Sequence, residues 1–312
     1  MAEVIDGILI RDVETKNIMT KSSLPVGGYS VNPYVGCTHA CKYCYASFMK
    51  RFTGHKEEWG TFLDVKHWPE IKNPKKYAGQ RVVIGSVTDG YNPQEEQFRN
   101  TRKLLEQLIG SDADILICTK SDLVVRDIDL LKKLGRVTVS WSINTLDENF
   151  KNDMDSASSI ERRIAAMKQV YEAGIRTVCF VSPVFPGITD FEAIFERVKD
   201  QCDLFWLENL NLRGGFKKTI MDYIAGKYPD LVPLYDEIYN KHNRSYFEAL
   251  EVKAEKMAKK YDCAFVDNEM PYGRVPQGHP VIVDYFYHEE IRGTENTCLL
   301  YTSPSPRDKR QS

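Results

Sequence analysis

A chain of 312 residues with 42% hydrophobic content is large enough to bury a core without disulfide or metal staples. Its formal net charge of −2 argues against a global basic field for nucleic acid or anionic lipid, and leaves room for no more than a local basic groove. No uncharged apolar run approaches the roughly 18 residues of a membrane span, so no membrane partner and a soluble, cytoplasmic protein are expected.

In chain order, "MAEVIDGILIRDVETKN" mixes charges with apolar positions, and residues 1–24 are expected to form an N-terminal extension. β-Branched or aromatic runs then recur at 28–35, 81–86, 114–119, 136–142, 176–182 and 203–208, and each predicts a strand. Between them lie "QEEQFRNTRKLLEQLIG", "DLVVRDIDLLKKLG" and "SIERRIAAMKQVYEAG", with apolar residues three and four apart and a terminal glycine. Strand then helix, repeated about six times, predicts an α/β fold with a parallel sheet and right-handed crossovers. The early strands are nearly all apolar and should be covered on both faces, as in a barrel or a doubly wound sheet. Residues 25–215 are expected to form this core. Beyond it, 216–298 reads as a mainly helical C-terminal extension packed on the core, in which "CAFVDN" and "PVIVDYFY" could add strands. The last stretch, 299–312, joins Ser, Pro and basic residues without apolar periodicity, is expected to be disordered, and looks like a translated sequencing adapter or vector scar.

Five of the eight cysteines, Cys118, Cys179, Cys202, Cys263 and Cys298, are scattered singly, which suits buried small hydrophobes in a reducing compartment. The other three crowd into "NPYVGCTHACKYCYASF" as Cys37, Cys41 and Cys44, with C-x3-C-x2-C spacing. Structural zinc wants four ligands, and only His39 is at hand as a fourth, in a loop too short to wrap one small ion comfortably. A [4Fe–4S] cube is wider and takes cysteine thiolates, so three from one loop hold three corners and leave one iron open. Zinc with His39, or chance packing cysteines, are the alternatives.

The C-x3-C-x2-C run after a first strand, with Tyr43 just before its third cysteine, resembles the radical S-adenosylmethionine (SAM) superfamily over about residues 25–215. "NPYVGCTHACKYCYA", "GSVTDGYNPQE", "CTKSDLV", "SWSIN" and "SSIERRIAAMKQVYEAG" resemble most the branch of spore photoproduct lyase and the DNA repair photolyase-like proteins, and also the mobile-pair radical SAM proteins. The resemblance implies a partial (β/α)6 TIM-like barrel with Cys37, Cys41 and Cys44 on a [4Fe–4S] cluster. It implies that the cluster gives an electron to SAM, and that the resulting 5′-deoxyadenosyl radical takes hydrogen from a substrate.

Position by position, the resemblance sets the backbone of Tyr43 beside adenine, and Ser86, Thr88 and Asp89 by the methionine amino group. It sets Lys120 near the SAM carboxylate, Ser142 near the ribose with Ser140 and Asn144 flanking it, and Arg163 as a second carboxylate partner. Ser86, Lys120 and Ser142 also fall at the carboxyl ends of predicted strands, where a βα barrel places its active site. The loop in "VSPVFPGITD" could lie against adenine or substrate. Implied partners are an electron donor of flavodoxin or ferredoxin type, a peptide, protein or nucleic-acid substrate, and a second radical SAM protein.

One departure stands out. The lyase returns hydrogen from a cysteine near the end of its second strand, where this chain has "GSVTDG"; Cys118, on the third, could face the cavity instead. Tyr91, Tyr272, Trp141, Trp206, Glu208, Asn209, Asn211 and Arg213 are candidates for the substrate side. The reading from another class is a non-catalytic binding module stabilised by a metal or cluster.

Overall fold

The computed structural model describes residues 2–22, 28–267 and 280–287. Its strands, in chain order, are β1 (Ala2–Ile5), β2 (Ile8–Glu14), β3 (Thr20–Lys21), β4 (Tyr29–Val31), β5 (Tyr34–Val35), β6 (Phe62–His67) and β7 (Arg81–Ile84), then β8 (Asp114–Thr119), β9 (Arg136–Ser142), β10 (Arg176–Val184), β11 (Leu204–Asn209), β12 (Ala264–Asp267) and β13 (Val281–Asp284). They form two mixed sheets in an α/β fold. The smaller has the order β1-β2-β6-β5 and the larger β12-β13-β11-β10-β9-β8-β7-β4-β3. From β4 through β7, β8, β9, β10, β11 and β13 to β12, every neighbouring pair of the larger sheet is parallel, and β3 joins its edge antiparallel. No pairing joins β12 to β3 among the described residues, so the sheet is open.

Alternation along the strands sorts side chains onto two faces. One face packs Val82, Ile84, Ile115, Ile117, Val139, Trp141, Cys179, Val181, Phe205, Leu207 and Ile282 into the main core, under helices such as Ile160–Glu172 and Phe191–Val198. The other carries a smaller cluster of Val83, Leu116, Val178, Leu204, Trp206, Val281 and Val283, flanked by Cys118, Phe180, Val266 and Tyr285. The polar residues expected at the strand ends lie along this second face.

Several elements differ from expectation for local reasons. Segment 28–35 is two strands, in different sheets, because Pro33 has no N–H to continue a ladder. "QEEQFRNTRKLLEQLIG" breaks into Glu95–Phe98 and Asn100–Leu108 at Arg99, whose φ is 51°. "DLVVRDIDLLKKLG" becomes a 3-10 turn, Leu123–Asp127, and a short helix, Ile128–Leu131, at a buried Asp127 that bonds Arg102 and Arg126. β6 was not predicted at all. Residues 216–260 are mainly helical as read, within Gly214–Lys227, Val232–Tyr239 and Ser245–Lys260, while β12 and β13 extend the larger sheet itself. No helix among the described residues is long and apolar enough to cross a membrane. The expected tail, 299–312, lies outside the described residues, as do Tyr272 and Cys298.

Candidate active site

The cysteine loop leaves β5 through Gly36 and is clamped by the residues that lead into β6. Gly36 has φ +85°, and a Cβ there would meet the Phe62 carbonyl oxygen at 2.5 Å. Gly60, at φ +104°, lies so close that its Cβ would meet the Ala40 Cβ at 2.4 Å. Both positions need glycine, for the backbone angle and for the space. Within the loop, Ala40 N–H donates to the Cys37 carbonyl (3.3 Å) and Cys44 N–H to that of Cys41 (3.1 Å). Lys42 N–H donates to the Met154 carbonyl (2.9 Å) and Ser156 N–H to that of His39 (2.8 Å), which ties the loop to the 154–156 turn.

All three thiols are free of disulfides. Burial, with Asp89 and Cys44 adding to it, pushes the Cys37 thiol up to about 12, against the backbone N–H groups of Asp89 and His39. Burial also raises Cys41 and Cys44, in each case against the pull of Lys120, and Cys41 is raised further by Asp155, Cys44 and Cys37. The thiols thus lie within electrostatic reach of one another, and a cationic centre would supply the charge that favours their thiolates. Among the described residues no three His, Cys, Asp or Glu side chains gather tightly enough to hold a single metal ion. His39 is turned to Asp89, 3.1 Å away. Three soft sulfur donors carried by one loop suit a polynuclear iron–sulfur group.

Asp89 is the hub beneath the loop. Its carboxylate accepts from Thr119 Oγ1 (2.9 Å), Lys120 N–H (2.7 Å) and Tyr91 N–H (2.9 Å) besides His39 Nε2. Burial opposes its ionisation, but His39 and these donors outweigh burial and hold the carboxyl below its usual range. Asp89 thus joins the cysteine loop to the ends of β7 and β8. Gly85, where a Cβ would meet the Cys118 carbonyl oxygen at 2.5 Å, lets those two strand ends approach.

A second buried group surrounds Tyr43. Its ring meets Phe185 edge to face at 5.5 Å, and its hydroxyl donates to Asp155 (3.2 Å). Lys120 Nζ sits 5.7 Å from the same ring. Burial favours the neutral amine of Lys120, yet Cys41 and Asp155 hold its pKa above the ordinary lysine value. Arg163, only 1% exposed, was expected to reach a ligand carboxylate. Instead it donates Nη2 to Asp155 (2.7 Å), Nη1 to the Ser142 carbonyl (3.1 Å) and Nε to the Ser158 carbonyl (2.8 Å). Its charge is met inside the protein.

The remaining expected residues divide by whether their polar atoms are occupied. Ser86 Oγ meets Ser30 Oγ and accepts from Asn32 Nδ2 (3.0 Å), and Thr88 Oγ1 donates to the Gly36 carbonyl. By contrast Ser140 Oγ and Asn144 Nδ2 are buried with no partner among the described residues, at 1% and 4% residue exposure. Ser140 pairs in register with Cys118 and Val178, and Ser142 with Phe180. Buried polar atoms without partners are rare in folded proteins.

Three proposed substrate residues serve the fold instead. Trp141 and Tyr91 are in the main core, Trp141 with its indole N–H on the Ser121 carbonyl (3.0 Å). Asn209 accepts the Tyr287 N–H (2.8 Å). Trp206 is buried in the smaller cluster, edge to face with Phe180 (5.4 Å) and Tyr285 (5.7 Å), and its Nε1 has no partner among the described residues. Glu208, two residues on, accepts from Ser182 Oγ. Asn211 and Arg213 follow β11, at the start of the helix Gly214–Lys227. Sequence reasoning missed Asn32, Trp59 and Asp155. A cavity of about 810 Å³ lined by Glu14, Lys16, Tyr29, Lys76 and Tyr77 lies near the amino ends of β4 and β7, away from these residues.

A family model described as the radical SAM superfamily matches residues 31–198. The chain belongs to the radical SAM superfamily. Its members are enzymes that use a [4Fe–4S] cluster and SAM, so this radical SAM protein is an enzyme and the binding-module alternative falls. An uncharacterized protein of Methanocaldococcus jannaschii is 36% identical over 236 residues, 75% of this chain and 88% of the relative. The radical SAM Nα-GlyT isomerase of Pseudomonas phage M6 is 27% identical over 180 residues, 56% of this chain and 36% of the isomerase. Among solved structures, a spore photoproduct lyase mutant with bound AdoMet and dinucleoside spore photoproduct superposes with a TM-score of 0.53 at 19% identity, over 70% of this chain and 66% of the lyase. That likeness shows a shared fold.

Proposed function

We propose that this radical SAM enzyme binds its cluster through Cys37, Cys41 and Cys44, and SAM across the polar strand ends beside it. The cluster and SAM, when bound, supply a one-electron cleavage of the sulfonium and a 5′-deoxyadenosyl radical able to take hydrogen from an unactivated carbon. The observation that carries this reading is the glycine-clamped loop that carries three free thiols, Cys37 buried and Cys41 and Cys44 half-buried, together with Ser140 Oγ and Asn144 Nδ2, which have no partner among the described residues.

On this reading the larger sheet curves as a partial (β/α)6 barrel over about residues 25–215, with the helices after residue 216 packed on it. Lys120, half-buried beside the Tyr43 ring, faces the ligand carboxylate. Ser140, Ser142 and Asn144 meet the ribose, and the backbone of Tyr43 lies along adenine. Ser86, Thr88 and Asp89 bring the methionine end against the loop through their fixed network. Arg163 acts at one remove, by holding Asp155 and the Ser142 carbonyl in place. Phe180, Trp206 and Glu208 face the substrate, which is a nucleic acid or a peptide. The dinucleoside bound by the lyase supports the first, and the near-neutral charge of this chain the second. A cytoplasmic flavodoxin or ferredoxin supplies the electron, and a second radical SAM protein is a candidate partner.

Anaerobic protein given dithionite and SAM should form 5′-deoxyadenosine, and the Cys41→Ala variant should form none. Protein with an intact cluster that forms no 5′-deoxyadenosine would overturn the reading.

A further inference from the structure

Each thiol of the cysteine loop is answered by different groups. Backbone N–H groups of Asp89 and His39 act on Cys37, and the Lys120 ammonium acts on Cys41. Cys44 receives Lys120 and the backbone N–H groups of Ala46 and Ser47, and also a side chain from outside the loop, Trp59.

Trp59 is firmly placed. The segment that carries it presses on the cysteine loop at two points, Gly60 on Ala40 and Phe62 on Gly36. It is pinned from behind by His55, which stacks on Phe62 at 3.7 Å and lies between Asp64 (3.0 Å) and Glu57 (2.9 Å). The Trp59 ring stands edge-on to Phe62 at 5.8 Å. Its Nε1 is buried and, although directed to the Cys44 sulfur, makes no hydrogen bond of full geometry among the described residues. A buried indole N–H is normally satisfied. A neutral thiol is a poor acceptor and leaves it wanting, whereas a metal-bound thiolate is a good one.

We propose that Trp59 is a positioning residue for the cluster, its indole N–H donating to the Cys44 thiolate and thereby raising the cluster's reduction potential. The proposal rests on the reading of function above. A donor to a ligating sulfur stabilises the more negative, reduced state over the oxidised one, so removing it makes the electron harder to load. Burial adds to the effect, because water cannot replace the lost donor.

The test uses the full chain with its cluster reconstituted anaerobically, without SAM. Trp59→Phe keeps the ring and removes the N–H; at unchanged iron and sulfide content its reduction potential should shift to a more negative value. In wild-type protein grown with tryptophan labelled with ¹⁵N at the indole nitrogen, pulsed EPR of the reduced cluster should show a ¹⁵N coupling that Trp59→Phe abolishes. Absence of that coupling in the wild type, or an unshifted potential in a fully loaded variant, would overturn the proposal. If Trp59→Phe does not hold a cluster, the wild-type coupling alone decides. A wild type that forms no cluster at all sinks the functional reading first, whereas a loaded wild type without the coupling sinks only the role of Trp59.

Discussion

On the open face of the larger sheet, β4 to β9 lead into Asn32, Ser86, Lys120, Ser140 and Ser142, whereas β10, β11 and the residue after β13 present Phe180, Trp206 and Tyr285. The register sets the change between neighbours: Ser142 pairs with Phe180, and Phe180 with Trp206. The backbone is the same parallel ladder throughout, so the difference lies wholly in the side chains. One half offers charge and hydrogen bonds beside the cysteine loop. The other packs apolar and aromatic side chains, with one indole N–H unpartnered among the described residues. On the function proposed above, one scaffold would hold SAM on the polar half and the substrate on the apolar half.

The comparison can be broken most sharply at the cysteine loop. Cys41→Ala should abolish the brown absorbance of reconstituted protein, while Cys263→Ala, remote from the loop, should leave it intact; equal absorbance in both would refute the ligand assignment. Asp89→Ala leaves buried His39, Thr119 and backbone donors unmet, and should cost about 3–5 kcal/mol in chemical denaturation. A loss no larger than that of a surface substitution would contradict its role as hub.

The pH dependence has a definite sign. Asp89 and Asp155 are both held below the usual carboxylate range: burial opposes ionisation, and His39 with its neighbouring donors, or Arg163 and Lys120, outweigh it. Their contribution is fully present above the unfolded value of about 3.9 and is lost as pH falls through the lower folded values. Denaturation midpoints should fall with acid in that window, and less steeply in Asp155→Asn than in the wild type.

Lys120→Ala should weaken SAM binding by about 1.5–3 kcal/mol, roughly ten- to hundredfold, with the cluster retained. Unchanged affinity by calorimetry would remove Lys120 from the site. The smallest effect belongs to Ser140→Ala. Because its hydroxyl has no partner in the protein, stability should change by no more than about 0.5 kcal/mol. SAM affinity should still fall by about 0.5–1.5 kcal/mol. Lost stability with unchanged affinity would mean that the polar half is structural.

Much of this was legible in the sequence, in the places where chemistry is local. The spacing of Cys37, Cys41 and Cys44 and the strand-then-helix order needed no tertiary information. Trp141 and Asn209 were misread although the signal was present: with side chains alternating along a strand, Ser140 and Ser142 exclude Trp141 from their face, and Trp206 and Glu208 exclude Asn209. Arg163 could not have been placed, since its partner Asp155 meets it only through the fold. Trp59 was invisible for the same reason: the contact of Gly60 with Ala40 joins segments that no periodicity relates.

The most direct test of the central claim, a cluster held at three corners with its fourth iron open to SAM, is EPR of the dithionite-reduced cluster before and after SAM is added. The account predicts a cubane signal whose g-values change with SAM, and a ¹⁵N coupling when the methionine amino group is labelled. A signal unaltered by saturating SAM, with no such coupling, would contradict it.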